Sequence, residues 1–545
     1  MSENGGRRGL LSLSWKEIAF LGAVYAVGVA LRLVPKLEVD PHLPAFMADV
    51  WYRICMAQYI LDHWRLPEPD IRYLPYGYVP MWYPPGSPFL LALAAKVSGL
   101  DIPTVVTRLV PFVEALSPLS LYLLGRELYD ELVGASATLL LALTPNFVYF
   151  TGIADPQSFT MFMIPLLMAI WLRHASSPSW RNVILVGGLM GLNFLIHLSY
   201  FLEALDLLVF SLGLYLQGRA EKRIFVDFLA AFGISQLIAA PWWLPRNLYW
   251  WWIEALTTSS GLLPPEQQIA MYGPFAAVIG IAGVLLLLER WREHLLLLLW
   301  IVPNAIEAEN EAILSALGMI HLSWSTLAKP LEGYRFFPFL AQPLSIAAAA
   351  ALFWGLSKMS RRRRLIALGL ILIGAGVDIA TYDLGGKLTN AGMTMGEYEA
   401  AVWFRENTGE WARISADYYR AQMFAGVCGG RALLGGAFPL RNVDYPYIKA
   451  PGQVQDDLYR MYSTCDAALA WSIAQRYGLT HIYYSDMMIS YGNMISRLNN
   501  YRFGVEVCEE KFRSSPYFRI VYEKWTPSGR VVIVEVVGVT PQGGS

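Results

Sequence analysis

The sequence predicts a polytopic α-helical membrane protein with a C-terminal α/β domain outside the membrane, and three observations carry that reading. The 545 residues are 55% hydrophobic and only 16% charged, with a mean hydropathy of +0.39, too apolar for an ordinary soluble globule. Apolar runs long enough to cross about 30 Å of hydrocarbon recur through residues 1–383. From residue 384 those runs stop, and helical patches alternate with short β-rich runs.

The apolar runs lie near 17–35, 104–127, 131–151, 157–173, 182–198, 200–216, 224–245, 272–288, 294–306, 335–356 and 364–382. They give about eleven to thirteen transmembrane helices of roughly twenty residues each. "SPFLLALAAKVSG" and "AILSALGMIHLSW" are too short to span comfortably and read as interfacial or re-entrant helices. The N-terminal "MSENGGRR" and its apolar run lack a small-residue cleavage pattern and read as an uncleaved signal anchor.

Orientation follows from the basic short loops, because cytoplasmic loops carry the Lys and Arg excess. Arg7 and Arg8, "LRHASSPSWRN", "GRAEKR", "ERWREH" and "SKMSRRRR" fall on one side when the span count is odd. That puts the N-terminus in the cytoplasm. The loop 36–103, the turn 152–157, the loop 246–271 and everything after 383 then lie outside.

In the C-terminal part, "GEYEAAVWFRENTG" and "CDAALAWSIAQRYG" read as helices, and "THIYYS", "FRIVYEKW" and "RVVIVEVVGV" as strands. The domain boundary is placed in the polar linker "DLGGKLTNAGMT", giving a membrane domain 1–383 and a soluble domain 384–545. A net charge of -1 argues against a nucleic-acid partner. Cys55, Cys428, Cys465 and Cys508 lack metal-ligand spacing. Buried free thiols are favoured over one disulfide in the C-terminal part. No coiled coil points to an obligate partner, so a monomer is expected.

The chemistry candidates start with two carboxylates, Asp49 and Asp155, a hundred residues apart and both expected just outside the same membrane face. Ionised groups there must be solvated, paired or ligating. From Asp49, the spacing of Trp51, Tyr52, Met56, Tyr59 and Ile60 predicts an amphipathic helix lying on the membrane surface, aromatics at headgroup level. Helix capping by Asp49 is the plain alternative.

"ADVWYRICMAQYILDHWRLPEPD" with "YPPGSP", then "TGIADPQSFTMF", then "YRFFPFLAQPLSIAAA", and finally "KFRSSPYFRIVYEKW" resemble, in order, segments of the oligosaccharyltransferase catalytic-subunit family. The likeness is to its short archaeal form, within the C-type glycosyltransferase (GT-C) superfamily. The resemblance implies the GT-C fold and a divalent metal, Mg2+ or Mn2+, held by Asp49, Asp155 and Gln157. Glutamine at that last position departs from the charged or imidazole ligand usual in the family. It also implies that Arg335 binds the donor phosphate, a role its planar fork of donors suits. Snorkelling to lipid headgroups is the alternative. Glu254, in the loop "PRNLYWWWIEALTTSSGLLPPEQQ", matches a glutamate that contacts the acceptor amide. Arg246 and the run Trp250, Trp251 and Trp252 fit an interfacial belt as well. His197 could bind donor phosphate or move a proton, although a hydrogen-bonded structural histidine is the commoner use of such a residue. The acidic stretch 307–312 reads as a solvated loop.

The family's acceptor motif, WWDYG, is degenerate. After "FRENTGEWARIS" stands "ADYYRAQ", in which Asp417 and Tyr418 keep part of the motif and the paired tryptophans are gone. Loss of a fitted pocket changes specificity. The implied function is inverting transfer of a sugar or oligosaccharide from a polyprenyl (dolichyl) phosphate or pyrophosphate donor at the outer face of the cell membrane. Asp49 would position or deprotonate the acceptor. Asparagine of a secreted protein is placed ahead of a lipid or glycan acceptor. The rivals are a lipid or solute transporter, which would show repeated halves and midplane sites, and a non-catalytic relative.

Overall fold

The computed structural model describes residues 9–44, 47–68, 71–73, 81, 83–245, 265–310, 312–313, 333–357, 360–433, 451–490 and 506–539. Two compact units divide the chain. The first holds residues 1–36 and 109–388, and the second holds 37–108 and 389–545.

In chain order the helices of interest are α1 (Trp15–Leu37), α2 (Met47–His63), α3 (Gly86–Ser98), α4 (Leu119–Leu128), α5 (Glu131–Ala142), α6 (Gln157–Ser176), α7 (Trp180–Ile196), α8 (Tyr200–Leu216) and α9 (Arg223–Trp243). They continue with α10 (Pro274–Leu288), α11 (Leu295–Ala308), α12 (Phe337–Ser357), α13 (Arg361–Thr381), α14 (Met395–Asn407), α15 (Tyr418–Cys428), α16 (Pro451–Ser463) and α17 (Ala467–Arg476). The first unit is helical. Among the described residues, five helices are long and apolar enough to cross a membrane, or six if the bent pair Glu266–Tyr272 and Pro274–Leu288 is one span. Each of the other apolar runs read from the sequence also falls on a helix, but several of these helices are too short to cross alone.

Small residues let these helices approach, since apolar side chains gain little by leaving lipid for one another. Gly187 and Gly191 stand one turn apart on α7. A Cβ at the first would sit 2.6 Å from Ala231 O and at the second 2.8 Å from Ile238 Cβ, both on α9. Larger residues would force the pair apart. Polar side chains join three further helices. On α6, Thr160 Oγ1 donates to Asn193 Oδ1 on α7 (2.9 Å), and Asn193 Nδ2 donates to Glu203 Oε2 on α8. One turn on, Asp206 accepts from Trp300 Nε1 (3.1 Å) and Asn304 Nδ2 (2.9 Å) of α11. All of these side chains are buried.

The second unit is built on a five-stranded sheet, order β2-β1-β3-β5-β4, from β1 (Ile414–Ser415), β2 (Ala432–Leu433), β3 (His481–Ser485), β4 (Phe518–Thr526) and β5 (Gly529–Val536). β1 runs parallel to β2 and β3, while β5 is antiparallel to β3 and β4. β3 is buried along its whole length, as its continuous "HIYYS" run requires of a central strand. At its start His481 is buried, with Thr480 Oγ1 2.8 Å from Nδ1. Burial pushes its pKa down to about 4, Arg431 adds to this and Glu535 opposes it. The free side chain titrates near 6.5, so between these values unfolding takes up a proton and stability rises with pH. The full-length protein is expected to gain about 2–3 kcal/mol of unfolding free energy between pH 4 and 6.5 from this residue. Unfolding curves of wild type and H481N at both pH values check it; an unchanged difference removes the assignment.

Two sequence expectations are corrected here. Cys465 and Cys508 form a disulfide, with Cα atoms 5.3 Å apart, where free thiols had been favoured. The spacing of 43 residues carried no signal, because only the fold brings the end of α16 beside the residues before the short helix Glu510–Ser514. The buried Lys511 ammonium ties the same place together, donating to the carbonyls of Tyr462 (2.6 Å), Thr464 (2.8 Å) and Cys508 (3.1 Å). Cys55 and Cys428 are buried and not in a disulfide, and burial pushes the Cys428 thiol up to about 12.

The second correction concerns α2, whose aromatics do not lie at a lipid surface. Trp51, Tyr52, Met56 and Ile60 are buried in protein. Gly426 of α15 stands where a Cβ would meet the Trp51 ring at 2.8 Å. Arg72 lies over the Tyr52 ring (4.1 Å) and its Nη1 donates to Gln422 Oε1 (2.9 Å). An apolar stripe on a helix fixes which face is buried but not what buries it. The outward apolar face belongs instead to α3, where Phe89, Leu90, Leu93 and Val97 are exposed.

Candidate functional site

In the first unit, Asp155, Gln157, His197 and Arg335 come together from three parts of the chain. Asp155 ends the turn 151–154 and precedes α6. Gly152 in this turn leaves no room for a side chain, since a Cβ would lie 2.8 Å from both Val148 O and Leu388 Cδ2. Ala154 has φ 59°, a left-handed conformation that costs a non-glycine residue of order 1 kcal/mol or more. The turn is held from α1. Arg32, fully buried, donates through Nε to Thr151 O (2.8 Å), through Nη2 to Thr151 Oγ1, and through Nη1 to Gly28 O (2.8 Å).

The Asp155 carboxylate is buried and faces two nitrogen bases. Its Oδ1 lies 3.6 Å from His197 Nε2, and its Oδ2 lies 4.0 Å from Arg335 Nη1. Oδ1 also accepts from Gln157 N (3.1 Å), so Asp155 caps α6 as well. His197, just past the end of α7, accepts the Ser199 N–H at Nδ1 (2.9 Å). In the neutral ring the proton therefore sits on Nε2, toward Asp155. Arg335 ends a short 3-10 turn, Gly333–Arg335, ahead of α12. Gln157 Nε2 donates to its backbone oxygen (2.6 Å). Deeper in α12, the buried Gln342 amide donates to Met161 O of α6 (2.6 Å). The Arg335 side chain is 30% exposed, while that of Asp155 is 3% exposed. The arrangement presents a cationic fork outward and keeps its counter-charge inside, which suits an incoming phosphate.

The polar bracket of Thr160, Asn193 and Glu203 lies on the same three helix segments. Thr160 is one turn beyond Gln157, and Asn193 O accepts the His197 N–H (2.9 Å). The sequence carried a signal for it, since Asn193 and Glu203 interrupt apolar runs and such residues in a membrane segment are costly.

The other sequence candidates belong to the second unit or lie outside the described residues. Asp49 is half-buried in the first turn of α2, in the second unit. Glu254 lies outside the described residues. Asp417 is buried in the second unit as the N-cap of α15, accepting from Arg420 N (3.0 Å), and its Oδ2 lies 3.2 Å from Arg420 Nη1. Burial pushes its carboxyl pKa up and Arg420 pulls against this. Tyr418 begins α15. The Asp417 carboxylate is therefore engaged inside its own unit.

By themselves the four clustered residues do not make a divalent-ion site. They offer one carboxylate, already facing a guanidinium, whereas Mg2+ demands near-octahedral oxygen ligation. Among the described residues no group of three or more His, Cys, Asp or Glu side chains could hold a metal ion.

Solved structures decide the fold. Archaeal oligosaccharyltransferase AglB from Archaeoglobus fulgidus, in complex with an inhibitory peptide and a dolichol-phosphate, superposes with a TM-score of 0.66 at 14% identity, over 97% of this chain and 75% of that one. The chain shares the fold of that oligosaccharyltransferase. The Archaeoglobus fulgidus enzyme in complex with Zn and sulfate superposes with a TM-score of 0.60 at 16% identity, covering 94% of this chain and 72% of that chain. ArnT from Cupriavidus metallidurans, bound to undecaprenyl phosphate, gives 0.52 at 11% identity, over 97% and 99% of the two chains. Residues 83–244 match the family model described as dolichyl-phosphate-mannose-protein mannosyltransferase. No curated protein matches the chain by sequence.

Proposed function

We propose that this protein transfers a sugar or oligosaccharide from a polyprenyl-phosphate-linked donor to an acceptor at the outer face of the cell membrane. The observation that carries the reading is the Asp155, His197 and Arg335 cluster within a GT-C fold. Breaking the bond between sugar and phosphate builds negative charge on the leaving oxygen. Arg335 and the His197 Nε2–H supply donors for that charge, and Asp155 holds both in place. Fixed donors in a site shielded from water stabilise such charge most. By resemblance, Asp49 positions the acceptor or takes its proton, and Glu254 contacts an acceptor amide. A Mg2+ or Mn2+ ion on Asp49, Asp155 and Gln157 belongs to the same resemblance.

The C-terminal unit is proposed to lie outside the cell and the N-terminus inside. The disulfide Cys465–Cys508 supports this independently of the basic loops, because disulfides persist in oxidising compartments. Protein asparagine stays the first acceptor. A lipid or glycan acceptor is the second reading, favoured by one observation: Asp417, one of the two residues left from the acceptor motif, is turned inward onto Arg420.

The test uses purified full-length protein in lipid vesicles, a labelled polyprenyl-phosphate sugar, and peptide and lipid acceptors in parallel. Label is expected to leave the donor and appear on one acceptor, with D49A inactive yet folded. Full transfer by D49A would refute the base assignment. Uptake of solute without covalent transfer would replace the enzyme by a transporter. Loss of activity in EDTA with recovery in Mn2+ would bring the metal into the site.

A further inference from the structure

At the end of the first unit that bears the basic loops, a cavity of about 230 Å³ is lined by Arg126, Glu127, Glu131, Arg173 and Arg219, with Leu172 and Ser176. Three helices deliver the arginines: Arg126 is in the last turn of α4, Arg173 in the last turn of α6, and Arg219 just past the end of α8. Cations belong at helix C-termini, where the terminal carbonyls point. Packing three of them around one opening goes beyond capping.

Arg126 is neutralised from outside the cavity, 3.0 Å from the buried Glu17, and also donates to Leu10 O (2.5 Å). Glu127 Oε1 lies 2.5 Å from Arg173 Nη2 and 3.8 Å from Arg126 Nη2. Arg173 Nε is buried with no hydrogen-bond acceptor among the described residues. Leu132, Trp180 and Leu216, within four residues along the chain of the lining residues Glu131, Ser176 and Arg219, are more than half exposed, and Lys222 and Arg223 follow Arg219 in the chain. Apolar side chains beside a basic collar mark the depth of lipid headgroups. The space exceeds that of several water molecules, each taking about 30 Å³.

We infer that this cavity binds a phosphate ester through Arg173 and Arg219, and the apolar rim favours the headgroup of an anionic phospholipid as its source. The site is independent of the Asp155 cluster and of the proposed transfer reaction. The experiment measures thermal unfolding and lipid binding of delipidated full-length protein in detergent, with phosphatidylglycerol, phosphatidylcholine and inorganic phosphate as probes. Phosphatidylglycerol is expected to stabilise the wild type and to bind about tenfold more weakly to both R173Q and R219Q. Equal stabilisation by inorganic phosphate, lost in the same variants, keeps the phosphate site and makes its source a soluble anion. The surface variant R219Q, which keeps the Arg173–Glu127 pair, guards against a folding defect. If wild type and R219Q bind all three probes alike, the inference is overturned.

Discussion

Replacing Arg335 with glutamine is expected to lower transfer from a polyprenyl-phosphate sugar by about 10²–10³-fold in kcat, the usual effect of removing one donor to developing charge. The change leaves the backbone oxygen that Gln157 uses and the α12 anchor at Gln342 untouched, so the protein should fold. R335K should recover part of the loss, since a point charge replaces the charge but not the two-pronged geometry. Initial rates at saturating donor, with the bound donor measured separately, distinguish lost catalysis from lost binding. Retention of a third or more of the wild-type kcat by R335Q would end the role given to Arg335 and weaken the proposed function with it.

The second large effect is on stability. Arg420 is fully buried and bridges α14 and α15, with Nε 3.0 Å from Glu397 Oε1 and Nη1 3.2 Å from Asp417 Oδ2, while Nη2 donates to Gly392 O (3.0 Å). Glu397 Oε1 also accepts from Tyr483 OH (3.1 Å) and Ser485 Oγ (2.6 Å) of β3, and its Oε2 accepts the Thr394 N–H (2.9 Å) in a capping box. R420L leaves two carboxylates buried without a cation, and is expected to destabilise the second unit by about 3–5 kcal/mol. Pairing it with E397Q and D417N should restore part of that loss, because the penalty lies in the uncompensated charge. Denaturant unfolding followed by proteolysis of the C-terminal part measures both. A loss below about 1 kcal/mol in R420L would mean the carboxylates find water or one another, and the cluster does not hold the unit.

The same cluster shows why Asp417 reads two ways in the sequence. "ADYYRAQ" places an aspartate where the family keeps one, yet Asp followed three residues later by Arg is also the pattern of a helix cap with an ion pair along the first turn. Only packing against Glu397 and β3 decides between the two. His197, Arg335 and Asp155 were singled out in the sequence as ionisable groups at the ends of apolar runs, with plain structural uses open to His197 and Arg335. Arg32 was not, since an arginine near the end of the first apolar run looks like an interfacial snorkel until Thr151 is brought against it. Asn193 and Glu203 were visible as interruptions but had no assigned partner, because three helices must assemble before the chain of donors closes.

The sequence by itself determined where helices and the later strands form, since hydrophobic period, Pro and Gly punctuation and capping residues act over a few neighbouring positions. It also determined that charged groups inside an apolar chain must be paired or functional. The tertiary structure alone decided which partner each apolar face received, as with α2 buried against α15 rather than lipid. It decided as well which distant residues meet: Cys465 with Cys508, Asp155 with His197 and Arg335, and Glu397 with Arg420. The physical reason is that burial and pairing energies depend on contact in space, and separation along the chain records contact only within a turn or two.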